Sequence, residues 1–136
     1  MKPIEILLIE DNPADAKLTA EALREVTVPN SLTVMPDGVE AMEFLKKSGR
    51  YADAPLPDLI LMDVHLPRLG GVDLLKKIQS ESRLREIPIV VLTGSVDRDE
   101  RADLENWPIR QHLTKPFDVD VYVRCLQSIL DDFSSY

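Results

Sequence analysis

Apolar residues along the chain gather in five short runs, and a segment with helical spacing follows each of them. Ile4 to Ile9 is apolar except for Glu5 and ends in Glu10-Asp11. Pro57-Asp58-Leu59-Ile60-Leu61-Met62-Asp63 places four apolar residues in a row and closes on a carboxylate. Ile89-Val90-Val91-Leu92-Thr93 is rich in β-branched residues, which favour a pleated, packed surface. Ser31 to Met35 and Ile109 to Leu113 are weaker runs. Short apolar runs bounded by Pro or polar residues suit strands buried on both faces.

Between these runs the period changes. Asn12-Pro13 offers a capping side chain and a proline for the first helical position, which predicts a helix to about Val26 with Ala16, Ala20 and Leu23 on one face. Val39, Met42 and Leu45 predict a second helix over Val39 to Ser48. Leu74, Leu75 and Ile78 predict a third, ending near Ser82. Asp97 to Asn106 has only Ala102 and Leu104 as apolar residues and predicts a weakly packed helix. After Asp118, the residues Val119, Tyr122, Leu126, Ile129 and Phe133 recur at helical spacing and predict the last helix. Five strand–helix alternations imply an α/β fold, a parallel sheet covered on both faces. The favoured solution is a flavodoxin-like (βα)5 three-layer sandwich with strand order 2-1-3-4-5. Ligands then bind beyond the carboxyl ends of the strands, where the order reverses between strands one and three.

With 136 residues, one domain spanning 1–136 is expected. Asp and Glu number 24 against 16 Lys and Arg, a net charge of −8 that repels nucleic acid, and no basic cluster offsets it. No apolar run approaches a membrane span, and Met1-Lys2-Pro3-Ile4-Glu5 lacks a signal-peptide core. Cys125 is the single cysteine, so no internal disulfide forms, and a cytoplasmic location is expected.

The strand tips supply the candidate chemistry. Strand one ends in Glu10-Asp11, strand three in Asp63, strand four in Thr93, and strand five leads to Lys115. Three carboxylates at one rim repel one another, and a hard divalent cation relieves this. An oxygen-only donor set favours Mg²⁺ or Mn²⁺. Asp63 is then placed to attack phosphorus, since carboxylates form aspartyl phosphates. Thr93 can donate to one phosphoryl oxygen and Lys115 can pair with another.

Glu10-Asp11, Asp63, Thr93 and Lys115-Pro116, with Leu66-Pro67 and Gly71, resemble the signature set of the receiver domain of two-component response regulators, over essentially the whole chain. The resemblance implies that Asp63 accepts a phosphoryl group from a sensor histidine kinase. It implies that Glu10, Asp11, Asp63 and the backbone carbonyl of His65 hold Mg²⁺, and that Thr93 and Lys115 grip the phosphoryl oxygens. A cis Lys115-Pro116 bond is implied as well. No output domain is expected, so the output is a changed surface toward a downstream protein target. Asp11-Asn12-Pro13-Ala14-Asp15 and the loop from Gly49 to Pro57 resemble the small regulators paired with bacterial phytochrome kinases.

The chain departs from the family pattern in places. His112 stands where an aromatic switch residue is common, either as a participant in the switch or as a surface imidazole. The His65 side chain and Ser95 occupy positions that tune acyl-phosphate hydrolysis, and Gly70 replaces a common Asp or Asn. Trp107, Phe133 and Tyr136 suggest a homodimer on the face of helix four, strand five and helix five, counted in predicted order. Competing readings are a pseudo-receiver scaffold and a Mg²⁺-dependent phosphatase with an aspartyl-phosphate intermediate. For the latter, His65 stands where a general-acid aspartate belongs. A nucleotide or flavin module would need a Gly- or Ser/Thr-rich loop after strand one, which Asp11-Asn12-Pro13-Ala14 does not provide.

Overall fold

The computed structural model describes residues 2–94, 102, 105–115 and 118–134. Strands β1 (Ile4–Ile9), β2 (Asn30–Met35), β3 (Leu59–Asp63), β4 (Ile89–Thr93) and β5 (Gln111–Thr114) form one sheet. Every pairing is parallel and the order is β2-β1-β3-β4-β5, as the alternation predicts. The described helices are α1 (Pro13–Glu25), α2 (Gly38–Leu45), α3 (Gly71–Ser80) and α4 (Val119–Ser134), the last being the fifth in predicted order.

Side chains of a strand alternate between faces, so one sheet builds two cores. Leu7, Ile9, Ile60, Met62, Ile89 and Val91 pack with Met42, Leu45, Leu74 and Ile78 of α2 and α3. Ile6, Leu8, Leu59, Leu61, Val90 and Leu92 pack with Leu23 of α1 and with Tyr122, Leu126 and Ile129 of α4. Every residue of β3 and β4 is buried, which is why those strands are continuous apolar runs rather than alternating ones.

Element ends move where tertiary contacts overrule spacing. α2 stops at Leu45 instead of Ser48, because Lys47 turns into the left-handed region at φ 57°. α3 stops at Ser80 instead of Ser82, closed by the Glu81 N–H donating to the Ile78 carbonyl at 3.2 Å. β5 begins at Gln111, not Ile109: Trp107 and Ile109 fold back onto the α2–α3 core, and Ile109 N donates to Trp107 O at 2.8 Å. Trp107 is thus a packing residue. Val119 is 48% exposed and lies outside the buried stripe that begins at Tyr122. Phe133 is not exposed but partly buried, with the Arg110 guanidinium over its ring. Of the weak helix predicted over 97–106, Ala102 and Glu105 are helical, while 97–101 and 103–104 lie outside the described residues. Ser95, Pro116 with its expected cis bond, and Tyr136 lie outside them too.

Candidate functional site

The site assembles at the carboxyl rim because β1, β3, β4 and β5 stop at nearly the same level. Asp63 pairs in register with Leu92, and Thr93 pairs with Thr114. Glu10 follows β1, its N–H fixed on Met35 O at 3.0 Å. Asn12 then caps α1, accepting from the N–H groups of Ala14 at 2.9 Å and Asp15 at 3.2 Å. That cap turns the chain so that Asp11 faces solvent and Asp15 leans back over the rim.

Glu10, Asp11 and Asp63 each present a carboxylate oxygen, all within 4.8 Å of one another. Glu10, Asp63 and Thr93 are buried. Lys115 joins them: its Nζ lies 2.6 Å from Glu10 Oε1, 2.8 Å from Asp15 Oδ2 and 2.9 Å from Asp63 Oδ2. All three ammonium hydrogens are therefore committed. The other Asp63 oxygen, Oδ1, accepts the His65 N–H at 3.1 Å. Thr93 Oγ1 donates to Leu113 O at 3.4 Å, and Lys115 N donates to Thr93 O.

The charges are unequal in their surroundings. Burial pushes the Glu10 carboxyl up to about 7; the Lys115 hydrogen bond works against this and Asp63 reinforces it. Burial alone would raise Asp63 too, yet hydrogen bonds from Lys115, Glu10 and the His65 N–H together hold it below the ordinary carboxylate range. Burial lowers Lys115, and the three carboxylates more than reverse this, holding it above the usual lysine range. Of the pair, Glu10 therefore holds a proton more readily and Asp63 favours the anion. A hard cation that takes the place of that proton finds carboxylate oxygens already gathered.

The sequence profile of the response regulator receiver domain matches residues 6–127. The chain belongs to the response regulator receiver family. The receiver is 36% identical to the response regulator Rcp1 of Synechocystis sp., over 93% of this chain and 86% of that protein. Among solved structures it superposes on the phosphorylated cyanobacterial phytochrome response regulator RcpA with a TM-score of 0.85 at 37% identity, covering 94% of this chain and 91% of that one. It superposes on a Mn²⁺-bound form of Rcp1 with a TM-score of 0.84 at 36% identity, covering 93% and 91%. The oxygen-donor set Glu10, Asp11 and Asp63 fits a cation of that hard class.

The receiver brings Glu10, Asp11, Asp63, Thr93 and Lys115 to one rim, as the strand ends imply. It leaves His112 out: that residue is exposed on β5, opposite Val91 in register. The His65 residue as a whole is exposed, while its N–H reaches Asp63. Gly70 caps α3 without a side-chain hydrogen bond, the local consequence of losing Asp or Asn there. Asp15 is an addition to the rim that the strand ends do not imply. Its signals are its place in the first turn of α1, four residues after Asp11, and in the Asp11-Asn12-Pro13-Ala14-Asp15 stretch, and nothing local says that Lys115 will reach it.

Proposed function

We propose that this receiver is phosphorylated on Asp63 by a sensor histidine kinase of the phytochrome class and signals through changed protein–protein contacts. The observation that carries the proposal is the placement of the Asp63 carboxylate beside Lys115 Nζ at 2.9 Å and within 4.8 Å of the carboxylates of Glu10 and Asp11. The relation to RcpA, a phytochrome response regulator solved in its phosphorylated state, supports the choice of kinase.

In the proposed reaction an Asp63 oxygen attacks the phosphorus of a phosphohistidine. An O–P bond forms as the N–P bond breaks, and the imidazole departs with the electron pair. Glu10, Asp11, Asp63 and the His65 carbonyl would hold Mg²⁺ or Mn²⁺, whose contribution is to neutralise charge on the phosphoryl oxygens. Asp63 meets the first requirement of a nucleophile, because it stays ionised. Lys115 pairs with one phosphoryl oxygen as a point charge, and Thr93 exchanges the Leu113 carbonyl for another. The chain therefore acts as a phosphoryl acceptor, not as an enzyme with an external product. Such a switch shifts populations only by contacts that differ between two states.

β5 is an edge strand with Gln111, His112 and Thr114 exposed, and a second copy docking on that face belongs to the proposal. No described helix is long and apolar enough to cross a membrane. The deciding experiment is incubation with acetyl phosphate and Mg²⁺ followed by intact-mass measurement. One added phosphoryl group that disappears in Asp63→Asn is expected. No gain in either protein would favour the scaffold reading instead.

A further inference from the structure

The loop between β3 and α3, residues 64–70, is bent at Arg68, whose φ of 65° lies in the left-handed region that side chains rarely adopt. Leu69 N donates to Pro67 O at 2.7 Å, so Arg68 is the centre of a three-residue turn in its strained, positive-φ form. Such strain persists only where surrounding structure over-determines it. Here it is tied down twice to the β2–α2 turn. Arg68 Nε reaches Asp37 Oδ2 at 3.0 Å, while Nη2 reaches Oδ1 at 2.9 Å and Oδ2 at 2.8 Å. Asp37 is buried, and its Oδ1 also accepts the Glu40 N–H at 2.8 Å, capping α2. One residue on, Leu69 sits so close to Gly38 that a Cβ there would meet Leu69 O at 2.5 Å and Leu69 Cβ at 2.9 Å.

The near end of the same loop belongs to the site. The His65 N–H lies 3.1 Å from Asp63 Oδ1, and Gly71 N closes on Val64 O at 2.9 Å. With the Arg68 side chain 58% exposed, water screens the pair and it contributes little to stability as charge alone. Its two-pronged geometry instead fixes direction, because a planar guanidinium on a carboxylate permits one approach. We infer that the Asp37–Arg68 fork is a positioning device for the metal site, holding the strained loop so that the His65 backbone stays aimed at the Asp63 carboxylate.

This inference rests on the metal-site reading above, and its test separates the two. Mn²⁺ affinity is measured by calorimetry at neutral pH on the full chain, with melting temperature in chelator as a second readout. Arg68→Gly removes the fork while glycine accepts the positive φ without strain. Asp37→Asn keeps an oxygen for the α2 cap while losing the charged pair. Arg68→Gly is decisive because two effects oppose. Removing a positive charge from the loop by itself favours cation binding, whereas losing the positioning weakens it.

The expected result is about tenfold weaker Mn²⁺ binding for Arg68→Gly, a similar loss for Arg68→Lys, and a small change in melting temperature. The double variant with Asp37→Asn should lose no more than the weaker single variant, since both act through one fork. Wild-type binding matched or exceeded by Arg68→Gly overturns the inference and leaves the metal site standing. Additive losses overturn it as well. Wild-type protein that takes up no Mn²⁺ overturns the metal-site reading and this inference with it.

Discussion

Lys115 Nζ stands 2.9 Å from Asp63 Oδ2 although 52 residues separate the two in the chain, and the same nitrogen holds Glu10 and Asp15. The ammonium supplies the positive charge that faces these carboxylates in the metal-free receiver. Lys115→Met should therefore destabilise the metal-free receiver by about 1–3 kcal/mol, because buried acceptors lose their donor. Added Mn²⁺ should restore most of that loss by supplying the missing positive charge. Thermal unfolding of wild type and variant, with chelator and with Mn²⁺, checks both statements; a deficit that Mn²⁺ leaves unchanged would contradict the exchange.

Glu10 makes metal binding depend on pH. Its carboxyl is pushed up to about 7 by burial, above its ordinary value of 4.5. A raised carboxyl stabilises the folded state below the unfolded value, and that contribution is lost as pH rises through about 7. In chelator the wild type should therefore lose stability relative to Glu10→Gln as pH rises from the ordinary value of 4.5 through about 7. Because a metal and a proton compete for Glu10, Mn²⁺ affinity should weaken as pH falls below about 7 and binding should release protons. Calorimetry in buffers of different ionisation enthalpy detects that release.

Asp15 holds Lys115 from the solvent side, and its side chain is 34% exposed. Screening by water limits its effect, so Asp15→Asn should cost under about 1 kcal/mol in urea unfolding. It should nevertheless speed the loss of the phosphoryl group, since Lys115 loses one of its three anchors. Following intact mass over time after acetyl phosphate is removed gives the rate for wild type and variant side by side.

Gly70 and Gly71 are neighbours with opposite tolerances. A Cβ on Gly71 would meet Val64 O at 2.7 Å and Val64 Cα at 2.8 Å, whereas one on Gly70 meets nothing within 4 Å. Gly71→Ala should destabilise by about 1–3 kcal/mol through backbone displacement. Gly70→Asp should stabilise by about 0.3 kcal/mol, because an extended residue at φ −66°, ψ 163° is placed to cap α3 and glycine is itself a tolerable cap. Equal effects from the two substitutions would refute this account.

The order of elements, the parallel topology and the rim are all legible in local patterns along the chain. Buried strands such as Leu59–Asp63 and Ile89–Thr93 are apolar throughout, a local pattern that can be seen without knowing what packs on them. Because each strand ends where its apolar run ends, Glu10, Asp63 and Thr93 could be assigned to one edge as soon as the sheet was inferred. Contacts between distant loops could not. That Asp15 turns toward Lys115, that Arg68 forks onto Asp37, and that Trp107 and Ile109 pack on the α2–α3 core are choices among side chains with several local options. Asp15 and Asp37 read equally well as ordinary helix-start residues, and the difference comes from charges brought near them by folding. Periodicity records what each segment buries, whereas the partners of exposed and half-buried charges exist only once the chain has closed on itself.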